Sequence, residues 1–127
     1  GSPINKAEFE YLFAVEQAYA LLPYYEDLSG LTLIGHSHLC RVFTVTPRSV
    51  EEVSDKKFVL DTDKKYIISV GSVGQPRDGD PRASYVSTDG KVIRFHRLEY
   101  DVEDTVQRIY ATPGLPNYLA DRLRVGR

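Results

Sequence analysis

The chain has 127 residues, of which 42% are apolar and 27% charged, with 16 lysines and arginines against 18 aspartates and glutamates for a formal net charge of −2. This composition argues against a disordered chain, and the near-neutral charge gives no sign of binding to nucleic acid or to an anionic membrane. The sequence shows neither an apolar stretch of ~18 residues, which a membrane span would need, nor a secretory signal. Because Cys40 is the single cysteine, an internal disulfide framework is excluded, and we expect one globular α/β domain, or a piece of a larger one, in the reducing cytoplasm.

The first two predicted elements are a helix and a strand. Over residues 5–22, apolar residues recur at helical spacing, as at Phe9, Leu12 and Phe13. The proline that follows is predicted to end this helix, because it lacks an amide donor and its ring clashes with the preceding turn. Residues 31–34 form a short apolar run between two glycines, which predicts a strand buried on both faces.

The rest of the chain is predicted to be mostly strands, followed by two helices. Five further strands are predicted, over residues 41–46, 57–60, 66–70, 83–87 and 92–100. An Asp-Gly pair between the last two predicts a β-hairpin. Asp101 is predicted to cap one helix, and Asn117 to cap a second that ends at Gly126. This order of elements predicts layered sheets with helices packed outside them, and no linker divides the chain.

The most informative segment is Gly-His-Ser-His at residues 35–38, directly after the predicted buried strand. Neutral imidazole is the commonest protein ligand of metals, and α/β sheets place their sites at the carboxyl ends of strands. With the glycine relaxing the backbone, His36 and His38 could turn toward one metal ion or toward two adjacent ions. The alternative is a structural or surface histidine pair, because this spacing alone is weak evidence.

A glycine-rich segment over residues 70–85 begins at the end of another predicted buried strand. Its glycines permit close approach of the backbone to a ligand, and Arg77 and Arg82 supply donors suited to phosphate. The alternative is a long turn in which Asp78 and Asp80 pair with these arginines in solvent. Such surface pairs contribute only ~0–1 kcal/mol and need no function.

The remaining candidate groups are predicted to be structural. His96 lies in the middle of a predicted strand and is most simply a histidine on a sheet face. Cys40 has no second cysteine to pair with and is predicted to be a small buried residue. The N-terminal tyrosines, Tyr11 among them, are predicted to fill the core.

Three segments carry a resemblance to a known family. Residues 35–38 match a Gly-His-x-His motif, with Ser37 where threonine is usual. Residues 71–85, Gly-Ser-Val-Gly-Gln-Pro-Arg-Asp-Gly-Asp-Pro-Arg-Ala-Ser-Tyr, are the longest and most specific match, and residues 115–123 match a closing helix. Together they resemble the C-terminal half of the calcineurin-like metallophosphoesterase superfamily, most closely its small bacterial and archaeal branch. The resemblance covers most of the chain from Leu31 onward.

The resemblance implies part of a four-layer α-β-β-α sandwich with a site for two divalent metal ions, which could be Mn, Fe, Ni or Zn. It implies that His36 binds the second metal and His38 the first, and that a hydroxide bridging the metals attacks phosphorus in line. Four residues of the glycine-rich segment are predicted to lie on the substrate side: Gly71, Ser72, Arg77 and Arg82.

The family's other ligand motifs, Asp-x-His, Gly-Asp-x-x-Asp and Gly-Asn-His-Asp/Glu, are not in this sequence. We therefore expect residues 1–127 to be a single C-terminal portion of the domain, without the N-terminal metal-binding half or a catalytic residue, and inactive and weakly metal-binding alone. The whole protein would be a metal-dependent phosphatase or phosphodiesterase acting on a small phosphorylated substrate such as a nucleotide. Alternatives are a non-catalytic interaction or regulatory module, and a homo-oligomer formed through the core face or the open sheet edges.

Overall fold

The computed structural model of the chain describes residues 2–4 and 10–127. The helices of this part are α1 (Val15–Tyr19), α2 (Val102–Tyr110) and α3 (Tyr118–Arg124), with a 3₁₀ segment at Leu22–Asp27. Its strands are β1 (Leu31–Ile34), β2 (Cys40–Val45), β3 (Val50–Glu52), β4 (Lys57–Val59), β5 (Lys65–Val70), β6 (Ala83–Thr88) and β7 (Val92–Leu98). These elements confirm the predicted α/β class, mostly strands with one N-terminal helix and two C-terminal helices.

The strands of the described residues form two sheets. The first is mixed and has the order β1-β5-β2-β3, with β1 parallel to β5 and the other neighbours antiparallel. The second is antiparallel and has the order β4-β7-β6. The Asp-Gly turn joins β6 to β7 as predicted. The turn at residues 61–64, by contrast, carries the chain from the second sheet to the first, because β4 pairs with β7 and not with β5.

Two apolar clusters hold the layers together. Val42 of β2 and Ile93 of β7 belong to the cluster between the two sheets, and both are fully buried. Phe43 belongs to a second cluster on the other face of the first sheet, with Ala18 of α1 and Leu21. Successive side chains of a strand point to opposite faces, so β2 is apolar because both of its faces are covered. Each such fully buried large side chain contributes ~1.5–3 kcal/mol.

The N-terminal helix is shorter than the sequence predicts. Residues 5–9 of the predicted helix lie outside the described residues, and residues 10–13 are not helical. Leu12 is 4% exposed, whereas Tyr11 is 41% and Phe13 is 40% exposed. This alternation is that of an extended chain with one buried side, so the helical interpretation of the apolar spacing was wrong here.

The chain enters α1 through a side-chain hydrogen bond. Ala14 is extended, with φ −144° and ψ 171°, and its N–H donates to Oε1 of Gln17 at 2.9 Å. Pro23 does not end the helix as predicted. It lies at the start of the 3₁₀ segment, where the missing amide costs no hydrogen bond.

β1 is an edge strand and is more exposed than predicted. Of the described strands, only β5 pairs with it, and Leu33 is 50% exposed. The prediction of a strand buried on both faces is wrong for β1, but it describes β5, whose residues 66–69 are all buried. The short β3 was not predicted, because Val50 is its one apolar residue.

The C-terminal helices pack on each other. The Asp101 carboxylate accepts the backbone N–H of Asp104 at 3.0 Å, which confirms the predicted cap of α2. Asn117 has a helical backbone and makes no side-chain capping bond to α3, so that predicted cap is wrong. Val106 of α2 and Leu123 of α3 share one buried cluster. Nowhere in residues 2–4 and 10–127 is a helix long and apolar enough to cross a membrane.

Candidate metal centre

The predicted histidines lie on a short loop at one end of the first sheet. β1 and β5 are parallel and in register, with Ile34 beside Ser69, so the loops that follow these strands begin side by side. The first loop, residues 35–39, carries His36 and His38, and the second loop, residues 71–82, is the glycine-rich segment. The sequence predicted that the histidine motif and the glycine-rich segment each follow a strand. In the structure, the two loops that contain them are in contact.

Both histidines have a left-handed backbone. φ is 77° at His36 and 61° at His38, and no other non-glycine residue in the described part of the chain has a positive φ. This conformation costs ~1–3 kcal/mol for a residue with a Cβ, and it persists only where the surrounding structure enforces it. Gly35 was predicted to relax the backbone, but its φ is not positive. The histidines themselves make the turn.

Ser37 anchors the turn between the two histidines. It is 2% exposed, and its hydroxyl lies 2.8 Å from the hydroxyl of Ser69 at the end of β5. Its backbone N–H also donates to the carbonyl of Gly35 at 3.0 Å. This buried contact joins the loop to the neighbouring strand at the residue between the two left-handed histidines.

The second loop holds His38 through two hydrogen bonds. The Nδ1 of its imidazole lies 2.8 Å from the carbonyl oxygen of Gln75, and the backbone N–H of Arg77 donates to the carbonyl of His38 at 3.2 Å. Because a carbonyl oxygen can only accept, Nδ1 is the protonated nitrogen. In the neutral ring Nε2 then carries the lone pair, which is the arrangement found in metal-ligating histidines whose other nitrogen is fixed by a carbonyl.

His36 is held by an aromatic contact. Its ring stacks on Tyr11, with ring centres 4.2 Å apart and planes at 16°, and Tyr11 stacks on Phe13 at 4.6 Å. Stacked aromatic rings contribute ~0.5–1.5 kcal/mol beyond the area that they bury. Tyr11 was predicted to fill the core, but it lies half-exposed beside the first loop, where the extended N-terminal segment places it.

The start of the second loop is shaped by close contacts within the chain. Gly71 has φ +84°, and a Cβ there would lie 2.6 Å from the hydroxyl of Ser84 and 2.7 Å from the sulfur of Cys40. Ser72 accepts the N–H of Ser84 on its carbonyl at 2.8 Å and the N–H of Gln75 on its hydroxyl at 2.9 Å. The contacts of both residues thus set the path of the loop toward His38.

The arginines of the second loop differ in their partners. Arg82 makes a bidentate pair with Asp80, with Nη2 2.7 Å from the nearest carboxylate oxygen. Asp78 pairs with Arg97 of β7, whose Nε also lies 3.7 Å from the Asp80 carboxylate. Arg77 is exposed and has a neutral partner, a side-chain amide oxygen of the same loop at 3.1 Å. The alternative in which the loop's aspartates pair with its own arginines is therefore correct for Asp80 and wrong for Asp78.

Sequence reasoning missed Arg97, although a signal for it exists. Ile93, Phe95 and Arg97 alternate along β7, and residues two apart on a strand share a face. Ile93 is fully buried, so this alternation places Arg97 on the face that packs against the first sheet. Its side chain is 20% exposed, and a guanidinium in such a position requires hydrogen-bonding partners.

The Asp80 pair predicts an acid-sensitive contribution to stability. Hydrogen bonding from Arg82 lowers the pKa of Asp80 to about 2. A carboxyl whose pKa is lower in the folded than in the unfolded state stabilises the fold above its unfolded pKa, ~3.9, and that contribution is lost as pH falls through the folded value. We expect Asp80→Asn to make the fall of the unfolding free energy between about pH 4 and pH 2 shallower, as measured by urea denaturation. Asp55→Asn, at an exposed carboxylate, should keep the wild-type slope. An unchanged slope in Asp80→Asn contradicts the assignment.

Known proteins match the chain along nearly its whole length. An uncharacterized protein of Methanocaldococcus jannaschii is 36% identical over 131 residues, which cover 99% of this chain and 49% of that protein. The crystal structure of a metallophosphoesterase from Sphaerobacter thermophilus matches with a TM-score of 0.71 and 34% identity, over 94% of this chain and 50% of that one. No protein-family model matches.

The solved metallophosphoesterase matches this chain both in the path of the backbone, with a TM-score of 0.71, and in sequence, with 34% identity. The chain is therefore similar, in sequence and in backbone, to one half of a metallophosphoesterase. It spans about half the length of the relatives that it matches.

The first loop carries two histidines, a residue type that commonly binds divalent metal ions. Among residues 2–4 and 10–127, no three His, Cys, Asp or Glu side chains are grouped so that they could hold an ion. His36 and His38 nevertheless offer imidazole nitrogens, which suit Mn, Fe, Ni and Zn. The two residues fit a divalent metal as part of a coordination shell that needs further ligands.

Two other groups have the structural roles that were predicted. Cys40 is buried, its sulfur lies 3.0 Å from the hydroxyl of Ser84, and burial raises the pKa of its thiol. His96 lies on a sheet face, where its Nε2 is 2.7 Å from the hydroxyl of Ser87 and its ring stacks on Tyr85 of the neighbouring strand at 4.6 Å. Both groups have local partners that account for them.

Proposed function

We propose that this chain supplies His36 and His38 to the two-metal centre of a phosphoesterase. The observation that carries the proposal is the fixed imidazole of His38, whose Nδ1 donates to Gln75 and whose Nε2 keeps its lone pair. The left-handed backbone of both histidines supports it, because strain of this kind gathers at functional sites. The similarity to a solved metallophosphoesterase supports the proposed chemistry.

The two imidazoles suit this role because they are neutral donors. When bound, two divalent ions supply the positive charge that activates water and stabilises the attacking and departing oxygens in an in-line displacement. A shell of carboxylates alone would neutralise that charge and weaken the hold on phosphate. His38 would present Nε2 with its tautomer already selected, and the ring of His36 is oriented by its stacking on Tyr11.

The substrate of the proposed enzyme is a phosphate mono- or diester, such as a nucleotide. Arg77 is the residue best suited to contact its phosphate, because its backbone bonds to His38 and its exposed guanidinium donates to a neutral amide oxygen at 3.1 Å. Arg82 is already neutralised by Asp80, and we give it the lesser role. For Gly71 and Ser72 we propose that they shape the substrate-side loop by the contacts described above.

A hybrid protein tests the proposed function. In the Sphaerobacter thermophilus metallophosphoesterase, the half that matches this chain is replaced by this chain, and hydrolysis of p-nitrophenyl phosphate and of its bis ester is measured with Mn²⁺. We expect the hybrid to be active, and His38→Ala to lower its rate roughly 100-fold or more, since metal charge contributes several kcal/mol to such transition states. His96→Ala should leave the rate unchanged.

Two results would contradict the proposal. One is a hybrid that folds and binds metal but hydrolyses neither ester, which would favour the alternative function of a non-catalytic binding module. That alternative is supported by the incomplete ligand set of the described residues. The other is hydrolysis by this chain alone, which we expect to be inactive because two histidines do not complete a metal shell.

A further inference from the structure

We propose that Arg97 is a positioning residue for the metal centre, although it lies on the other sheet. By holding the 76–82 part of the second loop, it keeps the carbonyl of Gln75 in place to fix the imidazole of His38. The position of the loop is argued from the contacts of Arg97, whereas the consequence for metal binding rests on the proposed function of His38.

The guanidinium of Arg97 joins several parts of the second loop. It forms an ion pair with the Asp78 carboxylate, and its Nη1 donates to the carbonyl of Arg82 at 3.2 Å and to that of Asp80 at 3.5 Å. Its Nη2 also lies 3.2 Å from the sulfur of Cys40 on β2. A planar guanidinium with five N–H donors can serve these partners together, whereas the single ammonium of a lysine cannot.

The link from Arg97 to His38 is short. Asp78 is three residues from Gln75, and Pro76 between them is fully buried. The segment is fixed at its start by the bond from the Gln75 N–H to the Ser72 hydroxyl, 2.9 Å long, and at its end by the ion pair of Asp78. Both bonds to His38 come from residues 75–77, so release of the Asp78 end loosens the carbonyl that selects the tautomer of His38.

A second effect of Arg97 concerns charge. Asp78 directly follows Arg77, the arginine proposed to contact phosphate, and its carboxylate is occupied by Arg97. Without that partner, the Asp78 carboxylate is available to Arg77 and competes with phosphate for it. Arg97 therefore keeps the loop in position and keeps Arg77 electrostatically available.

The test compares Arg97→Gln, Arg97→Lys and Asp78→Asn with the wild-type 127-residue chain. Heteronuclear NMR of the imidazole nitrogens is recorded without metal at about pH 8, above the ordinary histidine pKa of about 6.5. In the wild type we expect Nδ1 of His38 to be protonated and Nε2 unprotonated. In Arg97→Gln and Asp78→Asn both nitrogens should move toward the averaged shifts of a mobile ring, and Arg97→Lys should show a smaller change. Zn²⁺ affinity should fall about 10-fold in Arg97→Gln, the low end for loss of an outer-shell contact.

Arg94→Gln is the matched control, because Arg94 lies on the opposite face of β7 and pairs with Asp89 at 3.7 Å. It should leave the His38 signals unchanged, and His96 serves as an internal reference in every variant. Unchanged His38 signals in a folded Arg97→Gln overturn the proposal. If Arg97→Gln does not fold, unchanged His38 signals in Asp78→Asn overturn the proposal instead. A wild type with the expected tautomer but no Zn²⁺ binding contradicts the proposed function and leaves the positioning contact supported.

Discussion

Gly71→Ala is expected to lower the free energy of unfolding by ~2–5 kcal/mol, from left-handed strain and overpacking together. The residue has φ +84°, and an added methyl group would lie 2.6 Å from the hydroxyl of Ser84 and 2.7 Å from the sulfur of Cys40. Cys40 belongs to the first sheet and Ser84 to the second. The methyl group therefore pushes apart two strands of different sheets at the point where the second loop begins.

Gly79→Ala is the matched control, since Gly79 has the same φ of +84° but has no atom within 4 Å of an added Cβ. It should cost only the strain, ~1–2 kcal/mol. Both variants are measured by urea denaturation followed by circular dichroism. Equal losses in the two variants would show that the close packing around Gly71 contributes nothing to stability.

Much of the fold can be predicted from local sequence patterns. An apolar run such as residues 66–70 indicates a strand, and the Asp-Gly turn between β6 and β7 indicates a β-hairpin. The N-terminal segment could not be predicted in this way, because the spacing of Leu12 and Phe13 suits a helix until the sheet buries Leu12 and leaves Phe13 outside. Nor does local sequence decide that β4 pairs with β7, since pairing across sheets depends on tertiary contacts.

For the candidate site, the sequence indicated the two histidines but not their geometry. His36 and His38 are visible as a motif after an apolar run, but their left-handed backbone is not, and the serine between them contacts Ser69, which is 32 residues distant in sequence. The pair of Arg97 with Asp78 joins residues 19 apart, and the loop offers Arg77 and Arg82 as nearer partners. Long-range hydrogen bonds thus decide the geometry that the motif leaves open.

Replacement of either histidine by alanine is expected to remove the metal binding of this chain. Loss of an outer-shell partner lowers metal affinity 10- to 100-fold in typical sites, so loss of a ligand should cost roughly 100-fold or more. We expect His36→Ala and His38→Ala each to abolish detectable Zn²⁺ binding in a calorimetric titration, because binding by the pair is already weak. His96→Ala removes an imidazole from a sheet face and should bind as the wild type does.

The most direct measurement follows the ring nitrogens of all 3 histidines by NMR while Zn²⁺ is added to the wild-type chain. We expect nitrogens of His36 and His38 to respond to the metal, with Nε2 as the responding atom of His38, while the ring of His96 does not change. Signals of His36 and His38 that stay unchanged at millimolar Zn²⁺, or a response confined to His96, would contradict the claim that this loop is a metal-binding site.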